Sequence, residues 1–189
     1  MQTNERKLTA PLLTRFGTGL GLVMIGLAWF IAHIRGQSLA AWFPAAHWPV
    51  DVALGATLGG ILALLVWQLD YFIPALRRIR ELLLTTLDLQ TFSYRDALFL
   101  GILAGLPEEM LFRGAIQPVI GWLVTSVLFG ALHSLTRTYF LYATIAGLVL
   151  GGLTLWRSNL WASVAAHCIF DMVTFIFLIQ SWRKQQTKS

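Results

Sequence analysis

Apolar residues in this chain fall in long stretches separated by short polar connections. Six stretches approach or exceed the roughly 20 residues that a helix needs to cross a bilayer. They are Phe16–Ile34, Val50–Ile73, Ala97–Leu111 with an extension towards Ile116, Ile120–Leu135, Tyr139–Trp156 and Leu160–Trp182. The pattern predicts an all-α, multispanning transmembrane helix bundle of about six spans, forming a single integral-membrane domain over residues 1–189. The first stretch follows Arg6, Lys7 and Arg15, as a signal peptide would. It runs 19 residues and ends in His33 and Arg35. A signal core is roughly 7–15 residues and ends in small residues, so the stretch reads as a retained span. Between Pro74 and Asp96, Leu76, Ile79, Leu83 and Leu87 recur at helical spacing around Arg77, Arg78 and Arg80. That suits a basic amphipathic helix on the inner leaflet, or a cytoplasmic loop whose arginines set topology.

Composition agrees with this pattern. Hydrophobic residues make up 57% of the chain and charged residues 12%, against about 25% charged in a soluble domain. The net charge is +5, but no soluble basic module is visible that would read nucleic acid. Placement of the cations is more informative. With the N-terminus inside, 11 of the 14 Lys and Arg fall in inside segments and two, Arg35 and Arg157, fall outside; Arg113 lies within a span. Cytoplasmic segments carry the excess, so both termini are placed in the cytoplasm. Trp42, Trp48, Trp122, Trp156, Trp161 and Trp182 fall near proposed helix ends, where tryptophan anchors to the interface. The single Cys168 excludes an internal disulfide and reads as a packing residue.

The candidate chemistry lies in the apolar stretches themselves. In ALFLGILAGLPEEMLFRGAIQPVIGW, Glu108 and Glu109 follow eleven uncharged residues, and Arg113 comes four later. An ionisable group at this depth costs roughly 2.5 kcal/mol or more on insertion scales, so such groups tend to be paired and functional. Glu109 and Arg113 share a helix face and can neutralise each other. Glu108 is turned about 100° away, which makes it the less compensated carboxylate and the candidate general base. Pro107 before it is expected to break or tilt the helix. His133 stands in an apolar stretch, and His167 and Asp171 form a further i, i+4 pair in which the carboxylate can fix the imidazole tautomer. Glu with His can deprotonate water, and imidazole N–H groups can stabilise an oxyanion. The same groups, with Glu108, His133 and His167 as the candidates, can also hold a divalent metal such as zinc.

EEMLFR at Glu108–Arg113, FGALH at Phe129–His133 and HCIFD at His167–Asp171 resemble, in order and spacing, the three motifs of the CAAX prenyl endopeptidase and bacteriocin-processing (Abi) family. The resemblance covers residues 98–179. It implies an intramembrane endopeptidase in which Glu108 and His133 activate water, His167 and Asp171 line the oxyanion side, and Glu109 and Arg113 support the site. It leaves open whether the enzyme depends on metal or works as a glutamate protease. Its substrate would be a membrane-associated protein or peptide, lipidated or not, and its location a bacterial-type plasma membrane. Eukaryotic prenyl proteases have Asn at the position of Asp171. Asn can donate to an oxyanion and ionised Asp cannot, so Asp171 is expected to be protonated, to orient His167 or to bind metal. Two rival readings are a non-catalytic immunity or scaffold protein and a proton- or ion-coupled transporter.

Overall fold

The structure, a computed structural model, describes residues 7–187. Arg6 and Lys188, which enter the charge count above, lie outside the described residues. The chain is an all-helical, multispanning bundle. Helices α1 (Ala10–Ile34), α2 (Trp48–Leu69), α7 (Arg137–Arg157) and α8 (Trp161–Gln186) are long and apolar enough to cross a membrane. Their outer faces carry exposed Phe16, Leu22, Ile34, Leu141 and Trp156. In water such a surface would mark a binding patch; in a bilayer it faces lipid. The predicted amphipathic segment is a helix, α3 (Pro74–Thr86). Leu83 and Leu84 pack on the core. Arg80 pairs with Asp70 at 2.7 Å, and Arg77 donates to the Asp70 and Tyr71 carbonyls.

The third and fourth stretches differ from expectation. The third runs from Tyr94 to Ile120: α4 (Tyr94–Glu109) passes into a π-helical segment (Met110–Ile116) and then one α turn, α5 (Gln117–Ile120). It starts before Ala97 because Ser93 and Asp96 form a reciprocal capping box, which satisfies two otherwise orphaned N–H groups. Pro107 does not break it. Helical geometry continues through the proline, and Gly21 of α1 packs against its ring, where a Cβ would come within 3.1 Å of Cγ. The fourth stretch shortens to α6 (Trp122–Leu132). Eleven residues rise only about 16 Å, and the helix stops at His133. Gly121, at φ 86°, makes the turn from α5 into α6, a conformation that L side chains rarely adopt.

α8 sits between α2 and α4. On α2 the buried positions Asp51, Gly55, Gly59 and Ala63 recur every four residues. A Cβ on Gly55 or Gly59 would collide with the backbone of Ala162 or Ala166 on α8. On the other side, a Cβ on Gly101 of α4 would meet the Cys168 carbonyl oxygen at 2.6 Å, and one on Gly105 would meet Cys168 Sγ at 2.6 Å. Lipid tails supply no hydrophobic drive between helices, so small residues that let backbones approach are the usual means of association. The pairings run in the same order along α2 and α8 and in opposite order along α4 and α8. Together they fix the depth and rotation of α8.

At one end of the bundle, buried Asp51 accepts from Arg157 Nε at 2.5 Å and from Asn159 Nδ2 at 2.8 Å. The α1–α2 connection folds over this end: the Trp42 carbonyl accepts from Leu160 N–H, and Trp161 Nε1–H donates to Pro44. Trp122 Nε1–H donates to Leu148, and the Trp42 ring lies against Gly114. These three tryptophans therefore hold elements together rather than only marking the interface. Cysteines introduced at Ser38 and Ser158, both exposed at this end, should react with an impermeant maleimide from outside the cell. One at Gln90 should react only after permeabilisation. The opposite pattern would overturn the orientation expected from the charges.

Candidate active site

The six polar residues singled out in the apolar stretches come from three elements. α4 and the π segment carry Glu108, Glu109 and Arg113. The C-terminal end of α6 carries His133, and α8 carries His167 and Asp171. The structure brings all six together. Glu109 is fully buried and Arg113 nearly so, and Arg113 Nη1–H donates to Glu109 Oε1 at 2.9 Å. The guanidinium lies over the Phe129 ring, 4.5 Å from its centroid, a cation–π contact that strengthens on desolvation. Its Nη2–H also reaches the Gly147 carbonyl on α7 at 3.4 Å, and one turn on, Gln117 Nε2–H reaches that of Gly151 at 3.1 Å.

Glu109 does more than neutralise Arg113. The same Oε1 accepts from His167 Nδ1–H at 2.9 Å. Glu109, not Asp171, therefore fixes the ring of His167. Asp171 Oδ2 stands 3.7 Å from His167 Nε2, beyond hydrogen-bonding distance, so the expectation that Asp171 orients His167 is corrected. Helical spacing suggested that pair, but the close packing of α4 on α8 at Gly105 brings a carboxylate from the neighbouring helix nearer.

His133 has a similar second contact. Its Nδ1–H donates to the Phe129 carbonyl at 2.8 Å, and a carbonyl can only accept. Each imidazole thus commits Nδ1 to a hydrogen bond, an arrangement that sets tautomer and orientation. Each directs Nε2 at one atom, Glu108 Oε2, which lies 3.7 Å from His133 Nε2 and 3.8 Å from His167 Nε2. Glu108 Oε2 is buried and has no hydrogen-bond partner in the protein. The carboxylate that lacked a partner on its own helix is faced by two imidazoles from other helices.

The arrangement is rich in acceptors. Both Nδ1–H groups are already used, so a neutral imidazole here offers the reacting centre a lone pair and no N–H. Among the described residues, no three His, Cys, Asp or Glu side chains are grouped so as to hold a metal ion.

Phe129 escaped the sequence reading except as part of a motif, yet it organises the site. It packs on the His133 ring at 4.3 Å, meets Phe112 edge-on at 5.0 Å, stands 6.1 Å from His167 and carries the Arg113 guanidinium. Its spacing of four from His133 was the available signal. Gln117, four residues after Arg113, was signalled in the same way. Tyr139 and Tyr142 on α7 had no such signal; their rings stack at 6.0 Å, and Tyr139 lies 6.5 Å from the His133 ring.

Residues 90–173, which contain all six of these polar residues, match the family described as type II CAAX prenyl endopeptidase Rce1-like. That match bears out the resemblance drawn from the three motifs. Over 84 residues the chain is also 38% identical to an uncharacterised protein, YpbD, of Bacillus subtilis (strain 168); the alignment covers 43% of this chain and 44% of that relative. The chain thus aligns with less than half the length of the curated relative it matches. No solved structure matches the chain.

Proposed function

We propose that this integral membrane protein is an intramembrane endopeptidase, hydrolysing a peptide bond in a membrane-associated protein or peptide with Glu108 as general base. One observation carries the reading: buried Glu108 Oε2 has no hydrogen-bond partner and is faced by two imidazoles of fixed orientation, at 3.7 and 3.8 Å. Water bound at Glu108 Oε2 gives up a proton to the carboxylate as its oxygen adds to the scissile carbonyl carbon. His133, held through Phe129, presents its Nε2 lone pair beside that proton and can share it. As the tetrahedral intermediate collapses, the C–N bond breaks and Glu108 returns the proton to the leaving amine. This is general acid–base catalysis by one group in turn. Glu109 and Arg113 position His167, and Asp171 lines the far side.

The apolar helices that carry the site suit a substrate that arrives through the bilayer, and the match to an endopeptidase family favours peptide over ion transport. A bacterial-type plasma membrane is the proposed location. The test is cleavage of a quenched fluorogenic peptide library, with and without a prenyl thioether, by the purified chain in proteoliposomes. Parallel reactions contain a chelator. Cleavage that survives the chelator supports the carboxylate mechanism, and chelator-sensitive cleavage assigns Glu108, His133 and His167 to a metal instead. No cleavage of any peptide would favour a scaffold or immunity role.

A further inference from the structure

The reacting carbonyl oxygen needs a hydrogen-bond donor as it takes on negative charge, and the groups nearest Glu108 supply few. Asp171, when ionised, only accepts. His133 and His167 have each given Nδ1–H to Phe129 or Glu109. A protonated His167 Nε2–H would face two carboxylate oxygens, of Glu108 and Asp171, at 3.8 and 3.7 Å, whose charges would draw it towards them rather than towards the substrate.

Two uncommitted donors stand beside this cluster. Tyr139 and Tyr142 lie in the first two turns of α7, which Thr136 caps by accepting from Tyr139 N–H. Their rings are stacked. Tyr139 flanks His133, and Tyr142 lies 6.3 Å from Phe170, the neighbour of Asp171. Tyr139 is close enough to feel the charges of both Asp171 and Glu108. Neither hydroxyl donates to a protein acceptor among the described residues. A tyrosine removed from water normally finds a partner for its O–H, and these two half-buried tyrosines have none among the described residues, so they can bond a ligand.

Resting on the endopeptidase reading, we propose that Tyr139 supplies the hydrogen-bond donor to the developing oxyanion that an ionised Asp171 cannot supply, with Tyr142 stacked behind it to hold the ring. The step is balanced. As water oxygen adds to carbon, the carbonyl π pair moves onto oxygen, and that oxygen accepts the Tyr139 O–H bond without taking the proton. When the C–N bond breaks, the pair returns and the hydrogen bond relaxes.

Tyr139→Phe keeps the ring and removes the donor. Loss of one oxyanion donor costs about 10²–10³-fold in kcat, and KM should stay within about twofold. Rescue separates this role from simple packing. Adding Asp171→Asn to Tyr139→Phe puts an amide N–H donor at position 171 and should recover at least tenfold of the lost kcat. The experiment uses the full chain in proteoliposomes, with a fluorogenic peptide that wild type cleaves. If Tyr139→Phe retains wild-type kcat, or if Asp171→Asn gives no recovery, Tyr139 is not the donor, while cleavage by wild type leaves the endopeptidase reading standing. If wild type cleaves no peptide in the library, both readings fall. Circular dichroism and detergent melting of Tyr139→Phe check that it folds; should it not fold, Tyr139→Trp, whose indole N–H donates, is expected to retain more kcat than Tyr139→Leu, and equal rates for the two would overturn the proposal.

Discussion

Glu108→Gln should lower peptide turnover by about 10²–10⁴-fold, the usual contribution of a positioned general base. The substitution keeps the volume of the side chain, and Glu108 makes no hydrogen bond through Oε2 that would be lost. Folding should therefore be nearly unaffected. The effect should lie in kcat rather than KM, because the carboxylate acts on water and not on the peptide. Purified wild type and variant, matched for folded concentration, are compared on one peptide. A variant that turns over at the wild-type rate would remove Glu108 from the mechanism and leave the two imidazoles facing it unexplained.

Glu109→Ala acts through stability as well as rate. It strips the partner from a guanidinium only 2% exposed and, at the same atom, from His167 Nδ1–H. Breaking a buried pair by removing one member costs about 3–5 kcal/mol, because the other charge stays behind uncompensated. The variant should denature earlier in mixed micelles and should lose activity even where it remains folded, since His167 is free to turn. Glu109→Ala combined with Arg113→Met should regain part of the lost stability and little of the activity. Equal stability of Glu109→Ala and wild type would mean that the pair is not the internal tie described above.

Much of this was readable in the linear chain. Helix positions followed from apolar run length, because a bilayer imposes that length and leaves few alternatives to a helix. The polar residues of the site stood out because charge at membrane depth is costly. Partnerships between helices were not readable. The i, i+4 rule paired His167 with Asp171, while the bond to Glu109 depends on how closely α4 approaches α8, and that is set by Gly101 and Gly105 meeting Cys168. The same limit hid the second imidazole facing Glu108. Pro107 signals lost backbone bonding, but not that helical geometry continues through it with its ring against Gly21 of α1. The short α6 was misread because Leu135 is apolar, although the helix has already stopped at His133.

The π segment after Glu109 bears on which mutations the chain can absorb. Its backbone is wider than an α-helix, whose bonds run from residue i to i−4, and π turns are rare and frequent at functional sites. Arg113, inside it, and Gln117, just beyond it, reach successive carbonyls of α7. Deleting one residue between Met110 and Ile116 would let the backbone relax to α geometry. A π turn holds one residue more than the α turn it replaces, so the side chains beyond the deletion would keep close to their bearing and Gln117 would stay near Gly151. One residue can therefore be lost from this stretch, at the cost of the side chains within it, while the helix beyond stays in phase, as a link taken from the slack of a chain leaves both sprockets in step.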